Sequence, residues 1–278
     1  MKIDFIASDI DRTFIDENRN VSNYTRKIIK KLPQHGIHFA LVTGRPFQGA
    51  FRIAHQIGLE PQQFGVIILN GLKAYDGYEN LLFEEPGLNY QDCLILEEIA
   101  LKYQLGVHYS FHDQSFIQME EKAYQKYLSQ RKKRKHYRPR VHIDSLNKIK
   151  EYFDKEGASL KVVFIQEKSY LASIIKKVQT DFPEVYDCYL VGPGWAEIMP
   201  KRINKGIALK RYAQLKNLDL ANTVVFGDAE NDLAMFQIAK KAIAVKNAYP
   251  RLKAISTSIT KKHYDDGVAH AIAKLLKI

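Results

Sequence analysis

Four short stretches of this chain carry side chains that could do chemistry. Asp9 and Asp11 stand two residues apart in Phe5-Ile6-Ala7-Ser8-Asp9-Ile10-Asp11-Arg12-Thr13. An Asp-x-Asp pair by itself is expected about once by chance in a chain of this size, so its context must carry the argument. Thr43, Gly44 and Arg45 follow the apolar run Ala40-Leu41-Val42. A threonine hydroxyl and exposed backbone N–H groups suit a phosphate oxygen, and a guanidinium can pair with an anionic substrate. Asp228, Glu230, Asn231 and Asp232 follow Val224-Val225-Phe226-Gly227. Lys205, in Asn204-Lys205-Gly206, opens an amphipathic stretch. Brought together, Asp9, Asp11, Asp228 and Asp232 would concentrate negative charge. A hard divalent cation with oxygen ligands, namely Mg²⁺, relieves that repulsion.

The elements that must position these residues are readable from periodicity. Ile3–Ala7, Ile37–Val42 and Gly65–Leu69 read as buried strands, with helices over Thr25–His35 and from Pro46 to Gly58 between them. This alternation predicts a parallel sheet with helices on its faces. Ligands bind such sheets at the carboxyl ends of the strands, where Asp9, Thr43 and Asp228 all fall. After Asn70-Gly71 the rhythm changes. A hairpin turn at Asp76-Gly77 is followed by a mixed set of helices and strands up to Val191. Near Trp195 the first pattern resumes, with Ala196–Met199 and Thr223–Phe226 as strands and Lys205–Leu215 as a helix. The expected architecture is an α/β core, residues 1–82 and 191–278, interrupted by an α+β insert over residues 83–190. Within the insert, Tyr109, Phe111 and His112 are candidates for substrate recognition.

Bulk properties narrow the class. The 278 residues are 46% hydrophobic and 26% charged, as in globular proteins, with no apolar run of membrane-spanning length. An acidic residue at position 4 argues against a secretory leader. Two cysteines, Cys93 and Cys188, form no pairing motif, which fits a reducing, cytoplasmic setting. The net charge of +11 is concentrated: residues 121–140 hold nine Lys/Arg and one acid. Such a run is a solvated face or a site for a polyanion.

The four stretches, in this order, resemble the haloacid dehalogenase superfamily, and more narrowly its Cof-type phosphatase branch. The similarity spans nearly the whole chain, with softer matches at Asn70-Gly71, Glu197-Ile198-Met199-Pro200 and Asp266-Gly267-Val268-Ala269. The resemblance implies a Rossmannoid core with a parallel sheet and an inserted C2B-type α+β cap that sets specificity. It implies Mg²⁺-dependent hydrolysis of a small phosphomonoester, a sugar phosphate or a phosphorylated cofactor. Asp9 would be the nucleophile that forms an aspartyl-phosphate, and Asp11 the acid and base. Thr43 and Lys205 would hold the phosphoryl oxygens, in a pocket completed by Ile10, Gly44, Arg45 and Asn231. The Asp9 side chain, the Asp11 backbone carbonyl and the Asp228 carboxylate would ligate the metal, and Asp232 would support it or orient Lys205. One position departs from the pattern: Arg12 stands where the family usually has glycine. If that backbone needs a positive φ, arginine costs about 1 kcal/mol or more. Two other readings stay open: an impaired enzyme binding nucleic acid through residues 121–140, and a phosphomutase-like phosphotransferase. Oligomeric state is not readable from the residues.

Overall fold

Short apolar segments that end in glycine or polar turns alternate along the chain with helices that bury one face, and they assemble into two sheets. The computed structural model describes residues 2–131, 140–192 and 194–278. The first stretch runs β1 (Phe5–Ser8), α1 (Asn23–Ile29), β2 (His38–Val42), α2 (Phe47–Ile57), β3 (Phe64–Ile68), β4 (Lys73–Asp76) and β5 (Leu81–Glu84). The second runs α3 (Tyr90–Lys102), β6 (Gly106–Ser110), β7 (Ser115–Gln118), α4 (Glu121–Arg131), β8 (Val141–Ile143), α5 (Lys150–Glu156), β9 (Lys161–Ile165), α6 (Lys168–Asp181), β10 (Tyr186–Gly192) and β11 (Trp195–Pro200). The third runs α7 (Lys205–Leu215), β12 (Thr223–Gly227), α8 (Leu233–Ile238), β13 (Lys241–Ala244), α9 (Pro250–Ile255), β14 (Ser258–Ile259) and α10 (Gly267–Leu276).

The chain divides into two compact units, Met1–Glu85 with Arg202–Ile278, and Pro86–Lys201. The first holds an eight-stranded sheet in the order β14-β13-β12-β1-β2-β3-β4-β5. Pairing is parallel from β14 to β3 and antiparallel at β4 and β5. Strands β1, β2, β3 and β12 are buried at every position, as expected for a sheet covered on both faces. Local chemistry sets the helix ends. Ser22 caps α1 by accepting from Thr25 N, and Gly58, at φ +66°, ends α2.

The second unit holds a six-stranded, mainly antiparallel sheet in the order β10-β11-β9-β6-β7-β8. Alternate residues on one face, among them Val107, Tyr109, Phe116, Val162, Phe164, Ala196 and Ile198, pack with Leu96, Phe153, Leu171 and Ile175 into its core. Period-2 alternation therefore decides which side chains are buried.

Three sequence expectations change here. Strand β11 belongs to the inserted sheet, where it pairs with β10 and β9, so the chain returns to the first unit at Arg202 and not at residue 191. Its run Trp195–Pro200 is equally apolar in either sheet, and only the pairing partner tells the two apart. Tyr109 and Phe111 are buried in the second unit's own core, and His112 Nδ1 lies 2.9 Å from Glu156 Oε2. Packing, not an open recognition surface, explains the two aromatics. The 3₁₀ turn Leu32–His35 splits off the end of the helix expected over Thr25–His35. Most of the basic run lies at residues 132–139, outside the described residues; α4 carries its first part. Among the described residues, no helix is long and apolar enough to cross a membrane.

Candidate active site

Register brings the separate stretches together. In the parallel ladders Ser8 lies beside Phe226 on one side and Leu41 on the other. The residues just past these strand ends, Asp9, Asp228 and Thr43, therefore emerge along one edge of the sheet. The Asp9 backbone N–H continues the β1 pairing by donating to the Phe226 carbonyl at 3.0 Å. The Thr43 N–H donates to Ile67 O, and its carbonyl accepts from Asn70 N, each at 2.9 Å.

Lys205 is the centre of the cluster. It sits at the first turn of α7, whose cap is Asn204 accepting from Ile207 N at 2.9 Å. Its fully buried ammonium donates to Asp9 Oδ1 at 2.6 Å and to Asp232 Oδ1 at 2.7 Å. The other Asp232 oxygen accepts from the N–H groups of Asp228 and Ala229, at 2.8 and 3.0 Å. Gly227 makes this possible: a Cβ there would stand 2.6 Å from the Asp232 carboxyl carbon. Gly71 has a similar constraint. At φ +111° it packs so closely on α7 that a Cβ would lie 2.7 Å from Asn204 O.

Ligand oxygens of Asp9, Asp228 and Asp232 lie within 4.8 Å of one another, and all three residues are buried. Burial raises the Asp9 carboxyl well above its usual range; Lys205 pulls it back, and Asp232 pushes it further up. Asp228 is raised by burial, then by Asp9 and Asp232, with Arg12 acting against them. For Lys205 burial works against the charge, yet the two carboxylates outweigh it and the ammonium is held above its ordinary value. The cluster thus carries more carboxylate than its cations neutralise. All-oxygen donors and unbalanced negative charge fit a hard divalent cation.

Asp11 faces a different partner. Its two oxygens accept from Arg45 Nε and Nη2, both at 2.6 Å. Partial burial works to raise the Asp11 carboxyl, but the Arg45 hydrogen bonds and charge outweigh it and hold it below its ordinary value. Arg45 also donates to Gly49 O at 3.0 Å. The Asp11 carboxylate is therefore engaged away from the other three. Thr43 Oγ1 accepts from Arg45 N at 3.2 Å, which leaves its own hydroxyl proton to donate. Gly44 lies between them at the end of β2. The Ile10 side chain is fully buried, so only its backbone can meet a ligand; its carbonyl already accepts from Phe14 N at 3.0 Å. Asn231 Nδ2 donates to Asn70 Oδ1 at 3.0 Å, and Asn70 takes a left-handed φ of +57°.

Arg12 does adopt a positive φ, +60°. Its Nε lies 3.3 Å from Asp228 Oδ2, and its guanidinium lies 5.8 Å from the Tyr249 ring centroid. Its carbonyl accepts from Asn247 Nδ2 at 2.8 Å. Thr13 Oγ1 donates weakly, at 3.4 Å, to Asp228 Oδ1. The sequence marks Thr13 as part of the aspartate motif without a contact of its own; Asn247 and Tyr249 it gives no role, and they carry no local signal.

Comparison with known proteins agrees with this geometry. A family model described as haloacid dehalogenase-like hydrolase matches residues 6–272. The protein M6_Spy0533 of Streptococcus pyogenes serotype M6 is 30% identical over 274 residues, covering 99% of this chain and 98% of its own. YwtE of Bacillus subtilis, a 5-amino-6-(5-phospho-D-ribitylamino)uracil phosphatase, is 27% identical, covering 98% of this chain and 97% of its own. The solved structure of the subclass IIB sugar phosphatase BT4131 superposes with a TM-score of 0.78 at 17% identity, over 99% of both chains.

Proposed function

The chain belongs to the haloacid dehalogenase-like hydrolases, and from that premise we propose that it is a phosphatase that cleaves a small phosphomonoester through an aspartyl-phosphate on Asp9. The observation that carries this reading is the Lys205 ammonium, fully buried and shared between Asp9 and Asp232. It holds one Asp9 oxygen in place and leaves the other for attack.

Asp9 Oδ2 attacks phosphorus, and the bond from phosphorus to the leaving oxygen breaks. Asp11 protonates that oxygen, then takes a proton from the water that attacks the aspartyl-phosphate, releasing phosphate and Asp9. Arg45 keeps Asp11 ionised in the resting site; once Arg45 turns to the incoming anion, Asp11 takes a proton from solvent and can then serve as acid. The Thr43 hydroxyl and Lys205 donate to the phosphoryl oxygens, where charge builds up in the transition state. Gly44, the Ile10 backbone and Asn231 complete the phosphate pocket. Asp9 and Asp228 would hold Mg²⁺, which supplies positive charge to the transferring group. Asp232, bonded to the buried Lys205 ammonium and to the Asp228 and Ala229 N–H groups, would position both and support the metal site. The relatives named for a phosphorylated ribityl compound and for sugar phosphates support a phosphorylated sugar or polyol, free or attached to a cofactor precursor.

The test is phosphate release from a panel of phosphorylated sugars and polyols with Mg²⁺. Activity is expected to vanish with chelator and to fall at least about 10³-fold in Asp9→Asn. Full activity in Asp9→Asn would refute the nucleophile.

A further inference from the structure

Arginine at position 12 keeps a left-handed backbone that arginine does not favour, and its side chain reaches Asp228, one of the two carboxylates expected to hold the metal. Both Asp228 oxygens are engaged: Oδ1 by the Thr13 hydroxyl and Oδ2 by Arg12 Nε. The guanidinium cannot lose its charge, so this cation is permanent. The Asp228 side chain is 5% exposed while that of Arg12 is 50% exposed, so the arginine reaches in from solvent and has room to withdraw. Its backbone does not have the same freedom, because Asn247 holds its carbonyl. Tyr249 lies on both partners' surroundings: its ring is near the guanidinium and its N–H donates to Asp228 O at 2.8 Å.

Resting on the reading of Asp228 as a metal ligand, we propose that Arg12 is a tethered counter-ion that competes with the divalent cation for Asp228. Without the ion, Arg12 offsets part of the charge that Asp9, Asp228 and Asp232 concentrate. When the ion binds, one Asp228 oxygen must exchange a guanidinium for a dication, and the two like charges then repel. The consequence is a weaker metal site than the same carboxylates would form without Arg12. Metal entry also frees a guanidinium beside the site.

The experiment measures Mg²⁺ binding directly, by calorimetry at fixed ionic strength and without substrate, on the full chain. Arg12→Asn removes the charge and keeps a residue that tolerates a left-handed backbone. Arg12→Lys keeps the charge with the same backbone demand as arginine. Arg12→Asn is expected to bind Mg²⁺ about 1.5- to 5-fold more tightly, the range for an ion pair with one exposed partner. Arg12→Lys is expected to stay near the parent. In chelator, Arg12→Asn is expected to melt at a lower temperature than the parent and to gain more on adding Mg²⁺. If the parent binds Mg²⁺ and Arg12→Asn binds no tighter, the competition is overturned while the metal site stands. A tightening in Arg12→Lys equal to that in Arg12→Asn would show that loss of the positive charge is not the cause and overturn the charge role. A parent that binds no Mg²⁺ overturns the metal reading and the competition with it.

Discussion

The two sheets treat buried charge differently. In the eight-stranded sheet the buried carboxylates gather at the carboxyl edge, where Asp9 and Asp232 share one buried ammonium and Asp228, beside them, meets the half-exposed Arg12. In the six-stranded sheet, Lys161 on β9 meets Glu197 on the adjacent β11 at 2.5 Å, an ion pair across neighbouring strands. Parallel strands all end at the same edge, so residues that follow them are forced together whatever their charge. Antiparallel strands present side chains in cross-strand neighbours, so a charge can be matched locally. The first arrangement leaves a deficit of positive charge that a ligand can fill; the second sets a cation against an anion on the neighbouring strand.

Four substitutions would break or sharpen this contrast. The largest effect is expected for Lys205→Met. It leaves two buried carboxylates facing each other, so activity should fall at least about 10³-fold. Stability in chelator should fall by about 3–5 kcal/mol, read from urea unfolding. Added Mg²⁺ should recover part of that loss, and no recovery would contradict the charge-deficit view. Lys161→Met should cost about 3 kcal/mol by removing the ammonium that the buried Glu197 carboxylate meets. Here Mg²⁺ should change nothing, whereas adding Glu197→Met should restore most of the loss. A Mg²⁺ rescue at this pair would erase the contrast between the sheets.

The smallest effect is at the opposite end of the parallel sheet. His38 opens β2, and its Nε2 lies 2.8 Å from the Tyr212 hydroxyl. Burial, with Lys216 adding to it, lowers its pKa from 6.5 to about 4. The unfolded chain therefore takes up a proton near pH 6.5 that the folded chain refuses until about pH 4. The contribution of His38 to stability is full above that window and declines as pH falls through it. At pH 5 the loss should be about 2 kcal/mol relative to pH 7.5. Urea unfolding of the parent and of His38→Gln across this range measures it, and parallel curves would remove His38 as the cause.

Much of the first unit could be read from local pattern. Strand β1, strand β2 and helix α7 follow from apolar runs and from the glycines and caps that end them, within a residue or two of the expected bounds. The strand-end placement of Asp9, Thr43 and Asp228 follows as well, because a covered parallel strand is a continuous apolar run with polar residues after it. Other features gave no signal. Strand β8 is three residues long, and α9 six, too short for periodicity to distinguish them from loop. The assignment of β11 depended on which strand it pairs with, a contact that composition does not encode.

Residue types and spacing by themselves determined the order of the elements, the strand ends that carry functional groups and the family to which they point. They determined also that Arg12 is unusual. Only the tertiary structure decided what each of these groups touches: Asp11 on Arg45, Asp232 on both Lys205 and the Asp228 backbone, Arg12 on Asp228 with a left-handed φ. The physical reason is range. Apolar periodicity and capping act over a few residues, whereas Thr13 and Arg12 meet Asp228 across more than 200 residues of sequence, and the charge balance that makes the site exists only after the sheet has closed that distance.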